Sequence, residues 1–183
     1  MKPTILITGC SSGIGLCTAL GLIERGWRVF ATVRRDEDSA QLPGVEVLRF
    51  EQTDSASVQA CAAEVLRRTE GKLDAVFCNA GMSVPGAVED LSRDALRFQF
   101  ESNVFGTIEL VNALLPAMRA NGHGRILINS SILGFAAMPY RGAYNATKYG
   151  VVSLSEGLRP ALAPHGIGVS VLCPGFIRTN IMS

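Results

Sequence analysis

The stretch TILITGCSSGIG, residues 4–15, places a short apolar strand directly before a glycine-rich turn and the start of a helix. Glycine permits a tight turn and a close approach of the backbone to a ligand, and the free N–H groups at a helix start favour a pyrophosphate. The spacing is G-x-x-x-G-x-G, whereas the general dinucleotide fingerprint is G-x-G-x-x-G, and such turns also occur for packing reasons. We predict a dinucleotide-binding turn that comprises Gly9, Ser11, Ser12, Gly13, Ile14 and Gly15.

Short β-branched runs alternate with stretches of helical period along the rest of the chain, as in parallel strands joined by crossover helices. The predicted strands are residues 4–8, 28–33, 45–50, 75–78, 125–130 and 169–173. Helices are predicted at 13–25, between Asp54 and Gly71, at 92–119 with a break near residues 102–103, and at 143–163. The prediction is an α/β fold: one Rossmann-like domain, residues 1–183, whose doubly wound parallel sheet has the order 3-2-1-4-5-6 and helices on both faces.

Composition excludes several classes of protein. Seventeen Lys and Arg residues against sixteen Asp and Glu residues leave a net charge of +1, which gives no basic field for nucleic acid or an anionic membrane. No apolar run approaches the ~18 residues of a membrane span, and no secretory signal precedes the first strand, so we expect a cytoplasmic protein. Five cysteines without a C-x-x-C pair favour neither disulfides nor a zinc site, and we predict no metal.

The second strand ends in Val33, where an NAD enzyme usually carries a carboxylate for the ribose 2′-hydroxyl. Arg34 and Arg35 follow instead. A guanidinium can grip a 2′-phosphate through paired, charge-assisted hydrogen bonds, which favours NADP(H). The alternative is that both arginines pair with the acidic residues 36–38 in a solvated loop. We favour the cofactor role for Arg34 and leave both interpretations open for Arg35.

The ends of the fourth and fifth strands carry further polar and small residues. Asn79, Ala80 and Gly81 follow the fourth strand and permit a cofactor to lie against the backbone. Ser130 and Ser131 end the fifth strand, and Tyr144 comes thirteen residues after Ser131, with Lys148 four residues further on. A tyrosine and a lysine at i and i+4 share one helix face. We expect the ammonium to lower the pKa of the phenol, which suits it to acid–base catalysis.

Taken together, these motifs resemble the short-chain dehydrogenase/reductase family, in the subgroup with T-G-x-x-x-G-x-G and Y-x-x-x-K. The similarity spans the chain and extends to the family's helix asparagine, here Asn103, and to its P-G-x-x-x-T segment. Within the family the sequence is most similar to retinol and steroid dehydrogenases and to bacterial aldehyde reductases. The motif positions are Thr8, Gly9, Gly13, Gly15, Asn79, Ala80, Gly81, Asn103, Ser131, Tyr144, Lys148, Pro174, Gly175 and Thr179.

The resemblance implies catalytic roles for four residues. Tyr144 exchanges a proton with the substrate oxygen, Ser131 donates a hydrogen bond to that oxygen, and Lys148 holds the nicotinamide ribose. Asn103 kinks its helix and anchors a water that feeds protons to Lys148, or it merely caps the second half of a broken helix. Ser130 has the wrong spacing. NADP(H) is the implied cofactor, and its nicotinamide side is bordered by Pro174, Gly175, Ile177 and Thr179.

Two features depart from the family pattern. The family carries an aspartate after the third strand for the adenine, whereas here Glu51 or a backbone contact must serve. The family also continues beyond the P-G-x-x-x-T segment with a helical lid and a seventh strand, whereas this sequence ends at Ser183, so we expect both to be missing. The predicted substrate wall is mostly apolar, and the alternative for any one of its residues is that it packs in the core or against the missing segment. The wall comprises residues 82–85, 133–140, Phe176, Ile177, Ile181 and Met182.

The sequence therefore predicts an oxidoreductase that interconverts an alcohol and an apolar aldehyde or ketone, as a homodimer or homotetramer, with a small molecule as its only other partner. The competing interpretation is a catalytically idle NADP-binding sensor or scaffold. The joint presence of Asn103, Ser131, Tyr144 and Lys148 favours the enzyme. A nucleotide-sugar epimerase or dehydratase also uses Y-x-x-x-K, but the short loop spacing and the lack of a long substrate segment oppose it.

Overall fold

A computed structural model describes residues 2–177, and it contains a six-stranded parallel sheet in the order β3-β2-β1-β4-β5-β6. The predicted fold class and strand order are confirmed. Each predicted strand is present with its ends shifted by two residues or fewer. The strands are β1 Thr4–Ile7, β2 Arg28–Val33, β3 Glu46–Arg49, β4 Ala75–Cys78, β5 Gly124–Asn129 and β6 Ile167–Leu172.

Five α-helices connect these strands, and polar side chains fix the start of two of them. The carboxylate of Asp54 accepts a hydrogen bond from the Ala56 N–H at 3.0 Å, and the Ser92 hydroxyl accepts one from the Ala95 N–H at 3.1 Å. The helices are α1 Gly13–Glu24, α2 Ser55–Arg68, α3 Arg93–Phe100, α4 Gly106–Asn121 and α5 Gly142–Leu162. Short 3₁₀ turns are Asp36–Gln41, Val88–Asp90, Ile132–Gly134 and Ala163–His165.

Helices cover both faces of the sheet because successive strand residues point to opposite sides. On β1, Leu6 is fully buried in a core formed with α2, α4 and α5. Its neighbours Ile5 and Ile7 belong to a second core on the other face, against α1. Strands buried in this way read as unbroken apolar runs, which is the pattern that the sequence shows.

The region between α3 and α4 differs from the prediction of a broken helix. The chain stays helical through residues 93–121, and Glu101–Phe105 forms a π-helical turn. The Thr107 hydroxyl donates to the main-chain carbonyl of Asn103 at 3.2 Å, and the Gln52 side chain donates to the carbonyl of Ser102. These two side chains satisfy carbonyl groups within the turn, so the helix widens there without ending.

Parallel strands bring all their carboxyl ends to one edge of the sheet. The turns and loops that carry the predicted site residues therefore meet along that edge. Among residues 2–177, no helix is long and apolar enough to cross a membrane.

Candidate active site

A cleft of about 250 Å³ lies at the carboxyl ends of β1, β2, β4 and β5. It brings together the glycine-rich turn, the end of β2 and the segment after β4, as predicted for a dinucleotide site. Its lining residues are Gly9, Ser11, Ser12, Gly13, Ile14, Thr32, Val33, Arg34, Phe50, Glu51, Gln52, Asn79, Ala80, Gly81, Met82, Ser102 and Asn129.

The turn between β1 and α1 has no room for side chains at two of its glycines. Gly9 has a φ of +70°, and a Cβ there would lie 2.8 Å from the Cα of Ala80. A Cβ on Gly15 would overlap the carbonyl oxygen of Gly9. Gly15 is buried behind the turn and does not line the cleft, so its role is to let α1 approach β1. The Ser12 side chain does not cap α1, which leaves the first N–H groups available to an anion.

Side-chain amides tie the ends of β1, β4 and β5 together beneath the cleft. The Thr8 hydroxyl accepts hydrogen bonds from the N–H groups of Asn79 and Ala80 at 3.0 and 2.9 Å. Asn79 Nδ2 donates to the carbonyl oxygens of Thr8 and Gly9 at 3.0 and 3.1 Å, and Asn129 Nδ2 donates to Asn79 Oδ1 at 3.0 Å. The sequence prediction omitted Asn129, although a polar residue at the end of an apolar strand could have signalled it.

The two arginines after β2 have different surroundings. Arg35 pairs with Glu37 at 3.1 Å and with Asp38 at 3.5 Å, as the solvated-loop interpretation requires. Arg34 lines the cleft, and within residues 2–177 no carboxylate pairs with it. Arg34 is therefore the guanidinium that remains for a ligand in the cleft.

The segment after β3 directs Glu51 toward the cleft and the amide of Gln52 toward the π-helical turn. The Glu51 carboxylate lines the cleft and accepts hydrogen bonds from the N–H and hydroxyl of Thr53 at 3.3 and 3.0 Å. Gln52 Nε2 points toward the π-helical turn and donates to Thr107 Oγ1 at 2.9 Å as well as to the Ser102 carbonyl. Gln52 is thus used within the protein, and Glu51 remains the candidate for the adenine side.

Tyr144 and Ser131 meet beside the carboxyl end of β5. Tyr144 lies in the first turn of α5 and is only 8% exposed. Burial raises the pKa of its phenol, while a hydrogen bond with Ser131 and the charge of Arg141 act in the opposite direction. Ser131 Oγ also accepts the N–H of Leu133 at 3.1 Å, which starts a 3₁₀ turn and fixes the serine beside the tyrosine.

Lys148 lies one turn along α5 and is 4% exposed. Its Nζ donates to the carbonyl oxygen of Asn129 at 2.8 Å and lies 5.4 Å from the centroid of the Tyr144 ring. Burial lowers the pKa of Lys148 to about 8, against a smaller opposing effect of Cys173. The expectation that Lys148 lowers the pKa of Tyr144 is wrong for this structure, because burial of the phenol outweighs its stabilising neighbours and Lys148 is not among them.

Ser130 has a structural role, in agreement with its exclusion on spacing. Its hydroxyl is buried and donates to the main-chain carbonyl of Lys148 at 3.0 Å. Ser130 therefore fixes the end of β5 against α5 and does not face the cleft.

Asn103 and Gln99 hold the segment that follows Gly81. Asn103 accepts from the N–H of Met82 and donates to its carbonyl, both at 2.9 Å, and also donates to Thr147 Oγ1 at 3.1 Å. Gln99, one helical turn earlier and 0% exposed, donates to the Met82 carbonyl at 2.8 Å and accepts from the Val84 N–H at 2.7 Å. The sequence prediction missed Gln99, whose only signal was its position four residues before Asn103.

Apolar side chains are exposed in the segments that follow β5 and β6. Phe135, Met138, Phe176 and Ile177 are exposed, and Pro174 is positioned by a hydrogen bond from the Ile132 N–H to its carbonyl at 2.8 Å. Arg141 Nη1, just beyond the predicted wall segment 133–140, donates to Ser83 Oγ at 3.1 Å and so connects the start of α5 to the segment after β4, a contact that the sequence did not reveal. Gly175 follows Pro174, whereas the predicted residues Thr179, Ile181 and Met182 lie outside the described residues.

The sequence is similar to those of curated oxidoreductases. Among curated proteins, the uncharacterized oxidoreductase YbbO of Escherichia coli K12 is 41% identical over 98% of this chain and 68% of its own length. Human 17-beta-hydroxysteroid dehydrogenase type 1 is 35% identical over 99% of this chain and 58% of its own length. The chain thus spans between about half and two thirds of these relatives.

Several solved structures are also similar to this chain. A short-chain dehydrogenase from Streptomyces avermitilis superposes with a TM-score of 0.94 and 37% identity, over 100% of this chain and 69% of that one. ElxO with NADP bound has a TM-score of 0.92 at 28% identity, covering 98% and 75% of the two chains. An enzyme from Burkholderia phymatum in complex with NAD has a TM-score of 0.91 at 31% identity, covering 98% and 68%.

The model of the short chain dehydrogenase family matches residues 3–183, nearly the whole chain. The strand order, the glycine-rich turn and the Ser131, Tyr144 and Lys148 side chains described above agree with that match. The chain belongs to the short-chain dehydrogenase family of oxidoreductases.

Proposed function

We propose that this protein is an NADP(H)-dependent oxidoreductase that interconverts an alcohol with an apolar aldehyde or ketone. The observation that carries the proposal is the meeting of Ser131, Tyr144 and Lys148 beside one cleft. Ser131 lies close enough to Tyr144 to act on the pKa of its phenol, and the Lys148 ammonium lies 5.4 Å from the tyrosine ring centroid. A positioned phenol with a hydroxyl donor and a cation next to it is suited to proton exchange with a carbonyl oxygen.

The residues of the cleft fit a nicotinamide dinucleotide. The glycines at positions 9 and 15 let the turn pack tightly against Ala80 and against α1, and the uncapped start of α1 at the cleft offers its first N–H groups to a pyrophosphate. Asn129 Oδ1, at the wall of the cleft, is a buried acceptor without a protein partner among the described residues. In the proposal the turn holds the pyrophosphate, Lys148 holds the ribose hydroxyls, and the remaining contacts come from Asn79, Ala80, Gly81, Tyr144, Pro174, Gly175, Ile177 and Thr179.

Arg34 supports NADP(H) over NAD(H). It stands at the end of β2 in the cleft without a carboxylate partner among residues 2–177, and Val33 before it leaves no acid to bind a 2′-hydroxyl. A guanidinium in that position suits a 2′-phosphate. ElxO, a structural neighbour, binds NADP, whereas the Burkholderia phymatum neighbour binds NAD, so the comparisons alone do not choose between the two.

When bound, the cofactor supplies or accepts the hydride. In carbonyl reduction, the Tyr144 hydroxyl gives its proton to the substrate oxygen as negative charge develops there, and Ser131 donates a hydrogen bond to the same oxygen. Because burial raises the pKa of Tyr144, the phenol stays protonated at neutral pH and is ready to act as the acid. Lys148, with a pKa of about 8, can return the proton to the phenolate.

Asn103 enters the proposal as a positioning residue. Both ends of its amide hold the backbone of Met82, and its Nδ2 also donates to Thr147. A water that feeds protons to Lys148 would therefore bind at the main-chain carbonyl of Asn103, which also accepts the Thr107 hydroxyl.

An apolar substrate is inferred from the exposed apolar residues beside Tyr144. Phe135 is 59% exposed and Met138 is 42% exposed, and both lie in the loop that leads to α5. The name of a relative, human 17-beta-hydroxysteroid dehydrogenase type 1, indicates an apolar substrate for that protein. The extent of the domain over residues 1–183, a cytoplasmic location and a homodimer or homotetramer stay predictions.

The direct test is Tyr144→Phe, which removes the hydroxyl and keeps the ring. We expect turnover of apolar carbonyl substrates to fall by ~10²–10⁴-fold, the usual contribution of a general acid. NADPH affinity should be unchanged, because the ring and helix stay in place. Turnover is measured by NADPH absorbance over a panel of aldehydes and ketones, and NADPH binding by fluorescence titration.

Tyr149→Phe is the matched control, because Tyr149 lies on the same helix with its side chain 44% exposed. It should keep the wild-type rate. A folded, NADPH-bound Tyr144→Phe with near wild-type turnover would remove Tyr144 from the mechanism. A wild-type protein that binds NADPH and reduces no carbonyl would favour the idle cofactor-binding protein.

A further inference from the structure

Tyr140, four residues before Tyr144, has an unusual backbone conformation. Among residues 2–177, Tyr140 with a φ of +58° and Glu70 with a φ of +52° are the two residues other than glycine with positive φ. The left-handed region brings the Cβ close to the following carbonyl, so residues with large side chains rarely adopt it. Such strain persists only where surrounding contacts fix the backbone.

Hydrogen bonds on both sides of Tyr140 supply that fixation. Its carbonyl oxygen accepts the N–H of Gly86 at 3.0 Å, from the segment that leaves the cleft after β4. The Met138 carbonyl accepts the Arg141 N–H at 3.3 Å and Asn145 Nδ2 at 3.3 Å, and Asn145 is only 6% exposed in α5. The loop is therefore held from two directions, and the direction in which the Tyr140 side chain leaves the backbone is fixed.

The Tyr140 ring is not used to stabilise the fold. It is 70% exposed, and no hydrogen bond of its hydroxyl is found within the described part of the chain. An exposed aromatic side chain contributes little to stability, so neither burial nor a polar contact offsets the backbone strain. Backbone strain that no packing of the side chain offsets is typical of positions that contact a ligand.

The loop that contains Tyr140 lies next to the proposed catalytic residues. The loop starts directly after the Ser131 turn, ends at the helix that carries Tyr144, and also contains the exposed Phe135 and Met138 side chains. Its hydrogen bond to Gly86 connects it to the segment held by Gln99 and Asn103. Tyr140 thus belongs to the mouth of the proposed substrate site and lies outside the residues that line the dinucleotide cleft.

We infer that Tyr140 is a specificity-determining residue, whose ring is held by the strained backbone at the mouth of the site to pack against the apolar body of a bulky or aromatic carbonyl substrate. This inference rests on the proposed function. The ring touches the part of the substrate away from the reacting carbon. It therefore contributes equally to the bound substrate and to the transition state, and its loss raises KM without lowering kcat.

Three substitutions separate the ring from the backbone strain. Tyr140→Gly removes both, Tyr140→Ala removes the ring and keeps the strain, and Tyr140→Phe keeps both. For an aryl or long-chain aldehyde we expect the Gly and Ala variants to raise KM roughly tenfold, the factor for ~50 Å² of apolar surface removed from water. The KM for a short aliphatic aldehyde and the affinity for NADPH should not change in the Gly and Ala variants. Tyr140→Phe, which keeps the ring, should have the wild-type KM for the aryl or long-chain aldehyde as well.

Thermal unfolding provides a readout that does not depend on catalysis. Tyr140→Gly should melt roughly 2–4 °C above Tyr140→Ala, because glycine adopts positive φ without strain. Glu70→Gly is the matched control: Glu70 has the same backbone conformation, is exposed and lies in the turn after α2, away from the site. It should change the melting temperature without changing KM for either aldehyde.

The outcomes distinguish this inference from the function on which it rests. An active wild-type protein whose Tyr140→Gly variant keeps the wild-type KM for both aldehydes would overturn the inference alone. A KM that rises equally for the short and the bulky aldehyde would also overturn it, because the effect would not depend on the substrate's apolar body. Failure of the wild-type protein to reduce any carbonyl would overturn the proposed function and this inference together.

Discussion

Replacing Lys148 should change how the stability of the protein depends on pH. Burial lowers the pKa of Lys148 from 10.5 to about 8 in the folded protein. The charged form is therefore disfavoured by folding, and this destabilisation is fully present below pH 8. As the pH rises from 8 to 10.5, the unfolded chain still binds the proton while the folded protein has released it, so this contribution to the free energy of unfolding increases with pH.

The size of the effect follows from the difference between the two pKa values. A lowering from 10.5 to about 8 corresponds to about 3 kcal/mol. About 2 kcal/mol of this destabilisation is relieved between pH 7 and pH 9.5 by the linkage relation. The hydrogen bond from Lys148 to the Asn129 carbonyl weakens as Lys148 loses its proton, and that change is already contained in the folded-state pKa of about 8, so it is not counted a second time.

The assay is urea unfolding of the wild type and of Lys148→Met at pH 7 and pH 9.5 with reductant present. Burial raises the pKa of Cys10, Cys61 and Cys78 to about 12, which makes both proteins less stable above pH 9 and cancels in the difference. The stability of the wild type relative to the variant should increase by about 2 kcal/mol between the two pH values. Lys72→Met, at an exposed lysine, should show no such increase. A wild type and Lys148→Met that respond identically to pH would refute the reasoning.

Two further predictions concern the cofactor and the segment after β4. Arg34→Ala should weaken NADPH binding by ~10–150-fold in fluorescence titration and leave NADH binding unchanged, because the charge-assisted hydrogen bonds to the 2′-phosphate are lost. Arg35→Ala should change the affinity for neither cofactor, because the Arg35 guanidinium already pairs with Glu37 and Asp38. An equal loss of affinity for NADPH and NADH in Arg34→Ala would contradict the role of Arg34 at the 2′-phosphate. Gln99→Leu should lower the free energy of unfolding by roughly 1–3 kcal/mol in urea, because the part-buried Val84 N–H loses its acceptor, whereas the Met82 carbonyl keeps its hydrogen bond from Asn103. Gln59→Leu, at an exposed glutamine bonded to Glu109, should cost less than about 0.5 kcal/mol, and similar losses at both positions would show that the Gln99 contacts are not stabilising.

The arrangement of the sheet could be predicted because its determinants are local or general. Each strand reads as a short apolar run, and right-handed crossovers restrict the order in which the strands pair. The π-helical turn could not be predicted in the same way. It depends on Gln52, which is 50 residues from Ser102 in the sequence and reaches its carbonyl only in the folded protein. The sequence indicated an irregularity in the helix at this point, and tertiary contacts determine that it is a π-helical turn and not a break.

The residues of the candidate site could be located by motif, whereas their electrostatics could not. Arg34 and Arg35 are adjacent and chemically identical, and only the fold places one in the cleft and the other among carboxylates. The pKa of Tyr144 was expected to fall because of Lys148, whereas burial raises it. Spacing on a helix shows which side chains are neighbours, but burial depends on the whole surrounding structure.

The amide ties beneath the cleft have a consequence for the way in which cofactor binding and folding are linked. They join Thr8, Asn79 and Asn129, which are 71 and 50 positions apart in the sequence. A partly folded chain in which any one of β1, β4 and β5 is unpaired therefore lacks the floor of the cleft. A cofactor that needs this floor binds only the fully paired sheet, so its binding free energy adds to global stability, by about 2.7 kcal/mol at a free concentration of 100 times Kd. The bound cofactor therefore adds the same free energy to local opening of the central strands as it adds to global unfolding.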